Sequence, residues 1–156
     1  MLFLVFRLGN DRYAIEATQV VEVLPLVNWK CVPRSPGGVA GIIDYHGTPI
    51  PLIDLMELAL GMPSRKWMST RIIVVNYRRD PSDQVQVLGL MAEQATETMR
   101  RTEEEFANSG LTVTESPYLG SVTTGTAGTI QRVEIKNLLS ASVRSQLFIE
   151  QSGTQQ

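Results

Sequence analysis

Cysteine and histidine are nearly missing from this chain: Cys31 and His46 are the single example of each. One cysteine forms no internal disulfide and builds no thiolate cluster, which fits a reducing compartment. One histidine and one cysteine, so far apart in sequence, make no metal site, so neither metal nor cofactor is expected. A surplus of one charge is missing too. The 14 basic and 16 acidic residues leave a net charge of −2 at pH 7. Without a basic stripe, nucleic-acid binding has no electrostatic support. Long apolar runs are also absent. MLFLVF stops at Arg7, too short for a secretory signal or a spanning helix. The expectation is a cytoplasmic protein that meets a membrane only through a partner.

What is present is apolar content, 43% of residues, too much for disorder and enough for one domain or two small lobes. Leu2 to Leu8 reads as a strand, GNDR (9–12) as a turn, and Tyr13 to Ile15 as the return. Ala17, Val20, Val21 and Leu24 have helical spacing, which predicts a short helix ended by Pro25. VAGIIDY reads as a strand, His46-Gly47 as a turn, and TPIPLI as the returning strand. Pro49 and Pro51 both lack an N–H on one side of that strand, so it belongs at an edge or a barrel opening. Asp54 with Glu57 three residues on predicts a helix cap. Arg71 to Tyr77 begins a new strand and Val85 to Leu90 returns. Thr102 and Glu105 predict a second capped helix of about two turns. Tyr118 to Thr124 and Ile130 to Ile135 make a further strand pair, residues 140–150 a terminal helix, and 151–156 a frayed tail.

The two halves repeat. MLFLVFR matches RIIVVNY. YAIEATQVVEVL (13–24) matches LGLMAEQATETM (88–99), placing Glu22 over Glu97. VAGIID matches YLGSVT, placing Gly41 over Gly120, and IPLIDLMEL matches IQRVEIKNL. One half of this size is marginal alone, and two sharing a core are stable. The fold class expected is mainly β: two small five-stranded antiparallel β-barrels packed together, with a few short helices. Lobe 1 covers about 1–65 and lobe 2 about 66–150 of a single domain over 1–150, with terminal elements open to exchange.

Three pieces of this pattern resemble the CheW-like family of chemosensory coupling proteins: RYAIEATQVVEVL (12–24), VAGIIDYHGTPIPLIDLMELALG (39–61), and the pair LGLMAEQATETM with YLGSVTTGTAGTIQRVEIKNLLS (118–140). Gly41, Gly47, Pro51, Asp54 and Leu55 fit the family's most specific stretch. The resemblance spans nearly the whole chain and implies a stand-alone, non-enzymatic adaptor without catalytic residues. Its partners would be the cytoplasmic tip of a coiled-coil chemoreceptor and the regulatory domain of a CheA-type histidine kinase. The kinase would meet an exposed end of one barrel, and the receptor tip a groove between the barrels. Val20, Glu22 and Val23 match the segment associated with receptor contact. Asp44-Tyr45-His46-Gly47 stands where the family has Asn-Leu-Arg-Gly, so Asp44, Tyr45 and His46 join the candidate receptor surface. The family's turn arginine carries a permanent charge and a fork of donors, while histidine is shorter and mostly neutral at pH 7. Met91-Ala92-Glu93 and Arg132 also depart from the family pattern. A divergent member serving an alternative chemosensory system is the expectation that follows.

Each residue also has a plainer reading. Asp44 and His46, two apart, could form an acid–base pair of a hydrolase, but nothing in the sequence supplies a nucleophile beside them. Gly41 and Gly120 suit strand kinks or close packing, Asp54 a helix cap, and Gly47, Pro49 and Pro51 the shape of a turn and an edge. A ligand-binding or regulatory β-barrel with no adaptor role is the competing class.

Overall fold

In the computed structural model, residues 1–66, 68–111, 114, 116–125 and 128–152 are described, the last five by backbone alone. The elements are β1 (Leu2–Leu8), β2 (Asp11–Glu16), β3 (Val20–Pro25), β4 (Val39–Tyr45), β5 (Thr48–Asp54), α1 (Leu55–Leu60), β6 (Arg71–Tyr77), β7 (Gln86–Arg100), β8 (Leu119–Gly125), β9 (Gly128–Val133) and α2 (Ala141–Ser152). The chain is mainly β with few helices, as expected. α2 runs to Ser152, and residues 153–156 of the expected tail lie outside the described residues.

β7 organises the fold. Its first part, to Ala92, pairs with β6 on one side and β5 on the other. Its later part, from Glu93, pairs with β1. Between them Gln94 takes a left-handed φ of 51°, an uncommon conformation for a residue other than glycine, and the β1–β7 register slips there. The bend divides the pairing into sheet I, ordered β3-β6-β7-β5-β4, and sheet II, ordered β7-β1-β2-β9-β8. Strand pairing therefore crosses the sequence repeat. Sheet I takes β3, β4 and β5 from the first half and β6 with early β7 from the second. Sheet II takes β1 and β2 from the first half and the remainder from the second.

Both faces of β1 and β6 are buried, which explains their uninterrupted apolar sequences. Leu4 and Phe6 of β1, with Ile73 and Val75 of β6, join the core shared by both sheets. Their alternate neighbours point the other way. Ile72 and Val74 line a core inside sheet I with Ile43, Ile50, Leu52 and Met91. Phe3 and Val5 line one inside sheet II with Ala14 and Ile130. Period-two alternation thus makes three cores from two repeated strands.

The expectation of antiparallel barrels needs two corrections. β5–β7 and β2–β9 are parallel, and the long connections between their strands permit this. Among the described residues neither sheet closes through a strand ladder. Each keeps a seam crossed by an isolated bridge: Lys30 with Ile42 in sheet I, both bonds 2.9 Å, and Ala107 with Val122 in sheet II, at 2.8 and 2.9 Å.

The helix expected over Ala17–Leu24 is also corrected. Only Ala17–Gln19 make a 3₁₀ turn, and Val20–Pro25 form β3 against β6. Valines at 20, 21 and 23 favour a pleated surface over a helix, and β6 offers an edge to pair with. At Thr102 the helix shrinks to one 3₁₀ turn, Glu103–Glu105. Glu105 Oε1 accepts the Thr102 N–H at 2.8 Å.

Candidate functional site

The β4–β5 hairpin turns through two residues, with Tyr45 opposite Thr48. His46 has φ 52° and Gly47 φ 87°. Two successive left-handed residues match the twist of the flanking strands, which is why such turns close tight hairpins. In an antiparallel ladder the hydrogen-bonded pairs alternate with unbonded ones. Counting from the turn, Pro49 (opposite Asp44) and Pro51 (opposite Ile42) fall at unbonded positions. Their missing N–H groups thus cost β4 nothing and face the other side. There β5 meets β7 only from Leu52, opposite Gly89. β5 is an edge through Pro51 and an interior strand beyond it. The gap opens into a groove of about 950 Å³ walled by Pro49, Pro51, Val85 and Val87.

At the other end of β4, Gly41 has φ 155°, and a Cβ there would lie 2.0 Å from the Lys30 carbonyl oxygen. The close approach that bridges the seam of sheet I leaves no room for a side chain. A Cβ on Gly120 would come 3.0 Å from Glu134 Oε2, the movable end of a side chain.

Across this seam from β3, Glu22 reaches the hairpin. Its Oε1 accepts the Tyr45 hydroxyl at 2.8 Å and faces His46 Nε2 at 3.5 Å. The Tyr45 and His46 rings lie 4.4 Å apart. The Tyr45 bond, then that of His46, holds the Glu22 carboxyl below the usual carboxylate range. The same bond pushes the Tyr45 phenol up. Val21 and Val23 of β3 are exposed, and Val20 is half-buried. The structure therefore gathers Glu22, Tyr45 and His46, with Val20 and Val23 alongside on β3. It leaves Asp44 out: among the described residues no hydrogen bond or ion pair links Asp44 to His46, so the acid–base pair weighed above is not formed.

Asp54 lies in the interior at the start of α1. Its Oδ1 accepts the backbone N–H groups of Met56 and Glu57, at 3.1 and 3.4 Å, and the Ser64 hydroxyl. Its Oδ2 accepts the Ser64 N–H at 2.8 Å. Glu93, 1% exposed, accepts the Arg65 N–H at 2.8 Å and is gripped by the Arg65 guanidinium at 3.1 and 3.3 Å. Two buried carboxylates thus pin the connector before β6. A buried charge needs such partners to be tolerated. Sequence reading missed the Glu93 pairing, and its only signal was an acid inside an apolar run. Among the described residues no group of three or more His, Cys, Asp and Glu is placed to hold a metal ion. No helix among them is long and apolar enough to cross a membrane.

The CheW-like domain model matches residues 2–143. This chain belongs to the CheW-like family. The chemotaxis protein CheW of Helicobacter pylori is 29% identical over 99 residues, 63% of this chain and 56% of that protein. The chemotaxis protein CheW of Bacillus subtilis is 34% identical over 79 residues, 48% of each. These alignments span about half the length of the relatives. The crystal structure of the scaffolding protein TtCheW from Thermoanaerobacter tengcongensis superposes with a TM-score of 0.77 at 23% identity. It covers 91% of this chain and 89% of that one, which establishes the CheW-like fold. Within that fold, the Glu22 cluster occupies the seam of sheet I.

Proposed function

We propose that this CheW-like chain is a non-enzymatic adaptor that couples the cytoplasmic tip of a coiled-coil chemoreceptor to the regulatory domain of a CheA-type histidine kinase. It would work in the cytoplasm and reach the membrane only through the receptor. One observation carries the reading. The two segments that the resemblance links to receptor contact, around Val20–Val23 and at Tyr45–His46, are separate in sequence yet joined by the Glu22–Tyr45 hydrogen bond. Exposed Val21 and Val23, next to Glu22 along β3, add apolar surface to the same strand. Residues 1–150 would act as one unit, since each sheet needs strands from both halves.

The test is capture from the native cell with a tagged chain, followed by binding of the purified partners. Recovery of a histidine kinase with a coiled-coil receptor is expected, and Glu22→Ala should weaken receptor binding about tenfold while sparing the kinase. Absence of both partners after cross-linking would remove the coupling role.

A further inference from the structure

Among the described residues two hydrogen-bonded contacts cross the seam of sheet I, the Lys30–Ile42 backbone bridge and the Glu22 cluster at the hairpin, above apolar packing of Leu24, Leu26 and Trp29 on the sheet I core. The second contains the chain's single histidine. We propose that Glu22, Tyr45 and His46 form a proton-operated latch across this seam, closed when the imidazole is protonated and slackened when it is neutral.

The geometry sets what each group does. Tyr45 donates its hydroxyl to Glu22 Oε1 at 2.8 Å whatever the state of the histidine. His46 Nε2 stands 3.5 Å from the same oxygen, within reach of an ion pair but long for a neutral hydrogen bond. A proton on the ring adds charge attraction to that contact, and charge-assisted bonds shorten. The charged and titratable surroundings are few. β3 contributes Glu22, β4 contributes Tyr45, and the turn contributes His46. β6, paired with β3, sets apolar Val74 opposite Glu22. Asp44 precedes Tyr45 on β4, exposed and unlinked to the cluster. The backbone adds a further constraint, because the left-handed φ of His46 fixes where the ring can point.

The sign follows directly. The pair requires a carboxylate and an imidazolium together. Once the ring gives up its proton the charge attraction is gone and the latch slackens. In strong acid Glu22 takes up a proton, later than an ordinary carboxyl because Tyr45 and His46 hold it ionised, and the latch is lost again. The latch is therefore tightest in mild acid. A permanently charged arginine at position 46 would hold it closed at every pH in this range. The latch stands on the geometry of the free chain. Its consequence for binding, a partner surface that changes shape with pH, rests on the proposed receptor contact.

Hydrogen exchange at the Lys30 and Ile42 amides of the free protein is compared, from about pH 5 to about pH 8.5, between the natural chain and His46→Asn, which tolerates the left-handed backbone. The ratio of protection should be about twofold higher at mildly acid than at alkaline pH. A protection ratio flat with pH, or exchange in Glu22→Gln that keeps the pH dependence of the natural chain, overturns the latch. Neither readout involves a partner, so failure of the latch and failure of the coupling role are separately visible. If the latch holds, receptor binding by the natural chain should vary with pH and that of His46→Arg should not.

Discussion

The two sheets have the same number of strands and related sequences, yet they treat the corresponding seam differently. In sheet I, Glu22 crosses the seam to an exposed hairpin and stays on the surface. Its counterpart in the repeat, Glu97, bonds Arg12 of β2 at 2.8 Å, inside sheet II's own strand order. Sheet II adds Arg132, which bonds Glu16 and Glu103 at 2.8 and 2.9 Å and lies over the Phe3 and Phe106 rings at 5.3 and 5.4 Å. That guanidinium ties β9, β2 and the segment after β7 together, whereas the hydrogen bonds described across the seam of sheet I are those of the Glu22 cluster and a backbone bridge. At the two seams the polar side chains divide the work. Sheet II uses Arg132 for cohesion there, whereas sheet I displays Glu22 on the surface.

The strongest test of this comparison removes what the sheets share. Ile73 lies in the common core. Ile73→Ala should cost about 4 kcal/mol, and urea unfolding should remain a single transition, because β7 belongs to both sheets. Two separated transitions would show that the sheets are independent. Next come the paired glycines. Gly41→Ala drives a Cβ against backbone and should cost about 3 kcal/mol. Gly120→Ala meets the movable Glu134 side chain first and a backbone oxygen only at 3.4 Å, and should cost under about 1 kcal/mol. Equal losses would contradict the asymmetry of the seams. Arg132→Ala should cost about 1–2 kcal/mol and raise hydrogen exchange at Ala107 and Val122 while leaving Lys30 and Ile42 unaffected. The smallest effect belongs to Glu22→Gln. Glu22 has a lowered pKa in the folded chain, so its contribution is present above the usual carboxylate range and fades as the pH falls through the folded value. Because the group is exposed, acid unfolding curves of Glu22→Gln and the natural chain should almost coincide.

Much of the fold was legible. β1, β6 and the β4–β5 hairpin follow from apolar runs and turn residues, and the repeat exposed the duplicated plan. β3 was not, because Ala17, Val20, Val21 and Leu24 satisfy a helical period and only pairing with β6 settles the choice. The sequence left terminal elements open to exchange between the halves, but not which strands cross, and that sharing runs through β7, whose two parts belong to different sheets. At the candidate site, the resemblance drew attention to Glu22, Tyr45 and His46, but their meeting is a property of the folded seam. Glu93 was noticed only as a departure. Its partner Arg65 lies 28 residues away, beyond any spacing rule.

Pro49 and Pro51 have one more consequence. An open strand edge invites its own kind, and a bare row of donors and acceptors can seed stacking into fibrils. Along the first half of β5 the donors are missing at two alternate positions on the open side. A stray strand laid there would find carbonyls at those positions and no amide to answer its own. At high concentration the prolines make this edge a poor template for aggregation, so the molecule can keep a groove open without becoming adhesive to its own copies.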